Sequence, residues 1–264
     1  DGTKNGSDIV DTVAANGSKT YFPLSNVSDG FSGSVIISSD KNVAAISNIL
    51  SSDFSAAASY VGRSAGANEV QLPLLNKDNS GFTTWFSVQN ASTDEATVNV
   101  TYSDGTTAAE RTIQPGAAAV YYQNAESHTS PVFAGTVSSD KPIVAAAIQE
   151  SSDIIFSYTG FTGGATDPVF PLINANNANY QTGLQIQNAG TQATDVTVSY
   201  TPSTDGTACT ETQTIAPAAS ATFALAAFSG NPGSEITTDC ANGVRFVGSA
   251  EVTSNSTSQP LQGL

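Results

Sequence analysis

The chain of 264 residues has no methionine, one histidine, one tryptophan, two cysteines and only eight lysines and arginines. Eight basic residues against 23 acidic ones leave a formal net charge of −15, so nothing is available to neutralise phosphates and nucleic acid is excluded as a partner. No apolar run approaches the roughly 18 residues of a membrane span, so neither a transmembrane helix nor an uncut signal peptide is expected. The missing methionine, initiator included, reads as a mature chain trimmed at Asp1. Charged residues make up only 12%, about half the usual share. Ser, Thr, Asn, Ala and Gly take their place while apolar content holds at 39%, which favours short strands with polar turns over disorder. An acidic, lysine-poor surface is well solvated and self-repelling, as suits a protein displayed at high density.

What is present is repetition. Leu72-Pro73-Leu74-Leu75 returns as Phe170-Pro171-Leu172-Ile173, Phe86-Ser87-Val88-Gln89-Asn90 as Leu184-Gln185-Ile186-Gln187-Asn188, and Val98-Asn99-Val100-Thr101-Tyr102 as Val196-Thr197-Val198-Ser199-Tyr200, all at an offset of 98 residues. That period is the size of a β-sandwich domain. The later part of the unit occurs three times: Thr12-Val13, Thr112-Ile113 and Thr214-Ile215 match, as do Phe31-Ser32-Gly33-Ser34, Phe133-Ala134-Gly135-Thr136 and Phe246-Val247-Gly248-Ser249.

Period-two alternation, as in Val98-x-Val100-x-Tyr102 before the turn Ser103-Asp104-Gly105, marks about seven short strands per copy. In the middle copy they are expected near 69–75, 82–90, 96–102, 111–122, 132–138 and 142–149, followed by a short piece around Tyr158. Helices should be few and short. The expected fold is all-β: tandem immunoglobulin-like antiparallel sandwiches, about two and a half repeats. Residues 66–165 form the complete sandwich. Residues 1–65 supply late strands only, and 166–264 lack the last strand.

The sequence of motifs Pro-Leu, Gln-Asn, Val-Thr-Val-Thr-Tyr, Pro-Gly, Phe-x-Gly-Ser and Pro-Ile-Val-Ala resembles an immunoglobulin-like repeat family of secreted and cell-surface proteins of bacteria and archaea. The resemblance covers nearly the whole chain. It implies extracellular modules and assigns no chemistry and no cofactor.

An unfinished sandwich exposes unpaired backbone groups and core side chains, while a spare strand has an apolar face to bury. The expectation is therefore head-to-tail β-strand complementation between subunits, as in donor-strand assembly of pilins, giving a structural subunit of an extracellular filament. The candidate donor strand carries Val43, Ala45, Ile46, Ile49 and Leu50. The candidate acceptor groove carries Phe246, Gly248, Ala250 and Val252. Intrachain pairing of the late strands with those starting at Glu69, and truncation of a longer surface protein, are the alternatives. The competing function is a monomeric adhesin or carbohydrate-binding module. Partners are then the chain itself, with glycans or other cell-surface material as further candidates.

Cys209 and Cys240 enclose about 30 residues; as a disulfide they would stabilise by roughly 3–4 kcal/mol and place the protein outside the cytoplasm. Asn5, Asn16, Asn26, Asn90, Asn99 and Asn255 lie in N-glycosylation sequons. Gly62-Arg63-Ser64-Ala65-Gly66 fits the G-x-S-x-G elbow, yet a strand should follow it instead of the helix that motif requires, and His128 is the only available base. No catalytic residue is assigned. Asp94-Glu95, Ser103-Asp104-Gly105 and Asp205-Gly206 carry oxygens without any calcium-loop spacing, and no metal is assigned. Trp85, Tyr121, Tyr122 and Tyr180 are the residues from which a sugar-stacking platform would have to be built.

Overall fold

A computed structural model of the chain describes residues 2–24, 26–225, 237–241, 243–255 and 257–264. Residues 2–45 carry no strand among those described. The hairpin β1 (Ile46–Leu50) and β2 (Ala57–Val61) follows. Next come β3 (Ala67–Asn76), β4 (Thr83–Asn90), β5 (Ala96–Tyr102), β6 (Arg111–Ile113), β7 (Ala118–Tyr122), β8 (Val132–Glu150) and β9 (Ile155–Thr159). The remainder comprises β10 (Val169–Ala175), β11 (Leu184–Asn188), β12 (Thr194–Asp205), β13 (Cys209–Ile215), β14 (Ser220–Phe223), β15 (Thr237–Thr238), β16 (Phe246–Ser254) and β17 (Leu261–Gly263). One 3-10 turn, Gln123–Ala125, is the only helical element among the described residues. The protein is all-β, built of antiparallel sheets.

Strand β5 shows why these segments are strands. Ala96, Val98, Val100 and Tyr102 are buried, and the residues between them face outward, the period of a half-buried strand. The 19-residue β8 organises the first unit. Its first half pairs with β3 and β5, and its second half, from Ile143, pairs with β4 and β9. One strand thus runs through two layers, which enclose Leu72, Leu75, Phe86, Val88, Val98, Tyr121, Phe133 and Val137. Each such side chain contributes about 1.5–3 kcal/mol when fully buried.

The second unit has the strand order β10-β16-β12-β13-β15 in one sheet and β14-β11-β17 in the other. Its core holds Ile173, Ile186, Val196, Val198, Tyr200, Phe223, Phe246, Val252 and Leu261. The sequence repeats are therefore structural counterparts: Phe86 and Leu184, Val98 and Val196, Tyr102 and Tyr200 all face their own unit's core.

Four expectations need correction. The segment expected at 111–122 is broken by a turn in which Gly116 has φ 72°, and the segments at 132–138 and 142–149 are one continuous strand. The last strand of the second unit is present: Leu261–Gly263 pairs with Ile186–Asn188, as Ile143–Ala145 pairs with Val88–Asn90. Of the late strands expected in residues 1–65, only the hairpin Ile46–Leu50 and Ala57–Val61 forms among the described residues. Finally, β1 and β2 pair with each other and not with β3, and β2 lies beside β9 of the same chain, where Thr159 Oγ1 donates to Val61 O at 3.0 Å.

Candidate assembly site

Two hairpins in this chain are built alike. In β1–β2 the pairing runs from Ile46↔Val61 to Leu50↔Ala57, and in β8–β9 from Ala146↔Thr159 to Glu150↔Ile155. Gly62 N–H donates to Ala45 O at 2.9 Å, and Gly160 N–H donates to Ala145 O at 2.8 Å. The closing bonds also correspond: Ser51 N–H to Ala56 O and Ser151 N–H to Ile154 O, both 2.9 Å. Only the turn between them differs in length.

Within the first unit, this hairpin closes the sandwich. Past β9, Phe161 exchanges backbone bonds of 2.8 and 2.9 Å with Gln71 on the free side of β3. The Tyr158 hydroxyl donates to Leu74 O at 2.7 Å, and its burial raises the phenol pKa above its ordinary value. In the second unit the counterparts stand open. β10 and β17 are edge strands, and among the described residues no strand pairs with the outer edge of β17; only Ala165 bonds there, at Leu261. Gln71 and Leu74 are buried and half-buried, but the matching Val169 and Leu172 are 69% and 61% exposed. The spare hairpin β1–β2 displays Ile46, Leu50 and Val61, and its turn displays Phe54.

These positions revise the expected site. Phe246, Gly248, Ala250 and Val252 are not an open groove: they face the core from β16, which is paired on both sides, with β10 and β12. The open edges lie one strand further out. Of the candidate donor residues, Ile46, Ile49 and Leu50 lie on β1, while Val43 and Ala45 precede it, so the spare element is a hairpin and not a single strand.

The two units meet through glutamines. Gln187 Nε2 donates to Gln71 Oε1 at 3.3 Å, to Gly135 O at 3.4 Å and to Ala218 O at 3.2 Å. Thr136 Oγ1 donates to the same Gln71 Oε1 at 2.8 Å, and Gln262 donates to the Gly163 carbonyl. No charged side chain takes part in these bonds.

Asn90 is a fold residue. Its buried amide donates to Asp94 O at 2.7 Å and Ile113 O at 2.9 Å, while Oδ1 accepts from Ser92 N–H at 2.9 Å. Asn188 does the same with Gln192 O, Ile215 O and Gly190 N–H. An amide nitrogen so engaged has no room for a sugar, so Asn90 is withdrawn as a glycosylation site. Asn5, Asn16, Asn99 and Asn255 are exposed, and Asn26 is half-buried. The repeated Gln-Asn at the end of β4 and β11 was the signal in the sequence for this corner.

Each unit ties the loop before its long strand by different chemistry. In the first, His128 Nδ1 lies 3.1 Å from Asp104 Oδ2 and Nε2 lies 3.0 Å from Gln123 Oε1, with the ring stacked 3.9 Å from Phe133. Burial alone would raise the Asp104 pKa, but bonds from Thr106, Thr129 and His128 outweigh it and hold the pKa at about 2. In the second unit, the expected Cys209–Cys240 disulfide does the tying, with a sequence separation of 31.

Ser64 is exposed and leads into β3 without a helix, and both ring nitrogens of His128 already have partners. Asp94 faces Lys141 at 3.7 Å, Glu95 accepts from Gln114, and Asp205 faces Arg245 at 3.3 Å. Among the described residues, the one grouping of metal-ligand atoms is Cys209, Asp239 and Cys240, whose sulfurs are bonded to each other. The four aromatic residues do not share one face. Tyr121 is buried and stacks on Phe86 at 4.9 Å, Trp85 and Tyr122 form a tilted pair at 6.3 Å, and Tyr180 lies in the separate 177–180 turn. No helix is long and apolar enough to cross a membrane among the described residues. Compared with protein-family models, with curated proteins and with solved structures, the chain shows no match.

Proposed function

We propose that the protein is a structural subunit of an extracellular filament or surface fibre, built of tandem immunoglobulin-like sandwiches joined head-to-tail by β-strand complementation. The observation that carries this reading is the pairing of a surplus with a shortfall. The hairpin β1–β2 has the bond pattern of β8–β9, the edge of β10 is the one that Phe161 closes in the first unit, and Gly263 O is the counterpart of Ala145 O, to which Gly160 N–H donates there. A hairpin from one copy, laid along β10 and β17 of another, would supply the backbone partners those edges lack. It would also cover Val169, Phe170 and Leu172, at about 1.5–3 kcal/mol for each side chain fully buried, before ordering costs.

The contact joins two different surfaces, so it does not close on itself, and repeated addition gives a filament. The net charge of −15 keeps copies apart except where a specific uncharged contact forms. The disulfide suits an oxidising compartment.

The reading is tested by negative-stain electron microscopy and size exclusion of the 264-residue chain across a concentration series. Filaments that release monomer only under unfolding conditions support it. A chain that stays monomeric at millimolar concentration overturns it. Ser59→Pro, which places a proline in β2, should suppress filaments while leaving the circular dichroism of the two sandwiches intact.

A further inference from the structure

The geometry points to a second contact between copies, resting on the head-to-tail reading: the outer face of β10 and β16 is a docking face for the first unit of another copy, centred on Val169 and meeting Gln89. The joint inside the chain supplies the template. There the outer face of β3 and β8, with Gln71, Gly135 and Thr136, receives the outer face of β11, with Gln187. Both halves of that joint recur elsewhere in the same chain. The sequence repeat puts Val169 and Ser249 where the first unit has Gln71 and Thr136, with the strand pairing shifted by two residues so that Val169 lies opposite Glu251. It puts Gln89 where the second has Gln187, and the local bond is reproduced: Gln89 Nε2 donates to Gly116 O at 3.2 Å, as Gln187 Nε2 does to Ala218 O.

Burial shows the difference between the occupied and the unoccupied face. Gln71 is 5% exposed under the second unit, whereas Val169 is 69% exposed. Val169 and Ser249 on one side and Gln89 and Gly116 on the other are uncharged, and Glu251, the exposed cross-strand partner of Val169, is the acidic side chain that this contact must leave in solvent.

A further observation marks Gly116 as a docking station. Ser34 Oγ donates to Gly116 O at 2.5 Å, and the Ile36 side chain lies over the same glycine. Ser34 is the repeat counterpart of Thr136, so within one chain residues 34–36 already sit where a preceding unit would. That stretch has no strand pairing among the described residues, and its Val35, Ile36 and Ile37 side chains are exposed. It holds the station weakly and yields it to the β10–β16 face of a second copy.

The test is cross-linking with a short bis-maleimide. Gln71→Cys with Gln187→Cys in one chain serves as the internal standard and is expected to link within the monomer. Val169→Cys in one chain, mixed with Gln89→Cys in another, is expected to give dimer when both variants are present and only background when either is alone. A chain carrying both substitutions should give a ladder. Ser34→Ala with Ile36→Ser should raise the dimer yield several-fold by loosening the competing segment. Formation of the internal 71–187 link with no 169–89 product at millimolar protein overturns the docking face. If filaments are nonetheless seen, the face alone falls and strand complementation stands; if neither filaments nor cross-links form, both fall.

Discussion

Replacing Asn90 with alanine removes a side chain that touches neither the proposed interface nor any ligand, and it should still be among the most damaging single changes in the first unit. The amide donates to the fully buried Ile113 carbonyl at 2.9 Å and to Asp94 O at 2.7 Å, and its oxygen accepts from Ser92 N–H and Oγ. Backbone bonds to Ala117 and from Gly116 fix the same residue. Stranding a buried carbonyl costs about 1–3 kcal/mol, and losing the three less buried bonds adds about 0.5–1.5 each, for roughly 3–7 kcal/mol together. Against a typical domain stability of about 5–15 kcal/mol this is large, and for a unit of about 100 residues it corresponds to a fall of some 12 °C or more in Tm. The assay is built in. Trp85, the sole tryptophan, lies on β4, the strand that Asn90 ends, so its emission follows the first unit. Urea titration should show the Trp85 transition shifted by the full amount in Asn90→Ala. In Asn188→Ala that transition should hardly move, while the loss appears in the circular dichroism of the other unit. A shift below about 1 kcal/mol for Asn90→Ala would refute the claim that this asparagine closes the corner.

Further outcomes follow from the two loop ties and from the hairpin. Reduction of Cys209–Cys240 should lower the stability of the second unit by about 3–4 kcal/mol and leave the Trp85 transition in place, as read by denaturant melts with and without reductant. Asp104 has a folded pKa of about 2, below its unfolded value near 3.9. Its contribution is therefore fully present above about pH 4 and is lost as pH falls towards 2. Acid titration followed at Trp85 should show this limb, and Asp104→Asn should flatten it. Tyr158→Phe removes the 2.7 Å bond to Leu74 O and should cost about 1 kcal/mol, measurable by the same urea titration.

The repeat frame, the positions of β4 and β5 and the disulfide were legible because each depends on local alternation or on a count. Three features were not, for physical reasons. Ser138-Ser139-Asp140-Lys141 reads as a turn because it is polar and followed by proline, yet these residues lie where β8 passes between layers. There Asp140 Oδ1 accepts from Thr97 N–H at 2.7 Å, so polarity serves the crossing. Pro260-Leu261-Gln262-Gly263 looks too polar for a closing strand. Only Leu261 faces the core, while Gln262 belongs to the contact with the first unit and Gly263 lies close against Phe170, where a Cβ would come within 2.5 Å of the ring. The acceptor was misplaced because the sequence identifies which side chains are apolar but not which strand edges are already paired. Phe246, Gly248, Ala250 and Val252 are apolar because β16 is central.

The same limit explains why the joint between units was invisible. Gln71 and Gln187 are polar residues on outward-facing strand positions, where polarity ordinarily signals solvent. They are buried because two such faces are brought together, and a glutamine carries both donors and an acceptor with which to satisfy its partner. A joint of this kind suits an array whose units must stack without aggregating. Exposed glutamines are soluble when alone and hydrogen-bond only when a matching face arrives, whereas an apolar joint would be adhesive at every unit. Val169 departs from that rule, since it puts a valine where the first unit has Gln71. Val169→Gln should therefore leave the fold unchanged by circular dichroism. It should also keep or strengthen the contact with Gln89 in cross-linking placed one residue away, whereas Val169→Glu, which adds charge to a copy already at −15, should abolish it. A glutamate tolerated at this position without loss of association would place the contact elsewhere on the molecule.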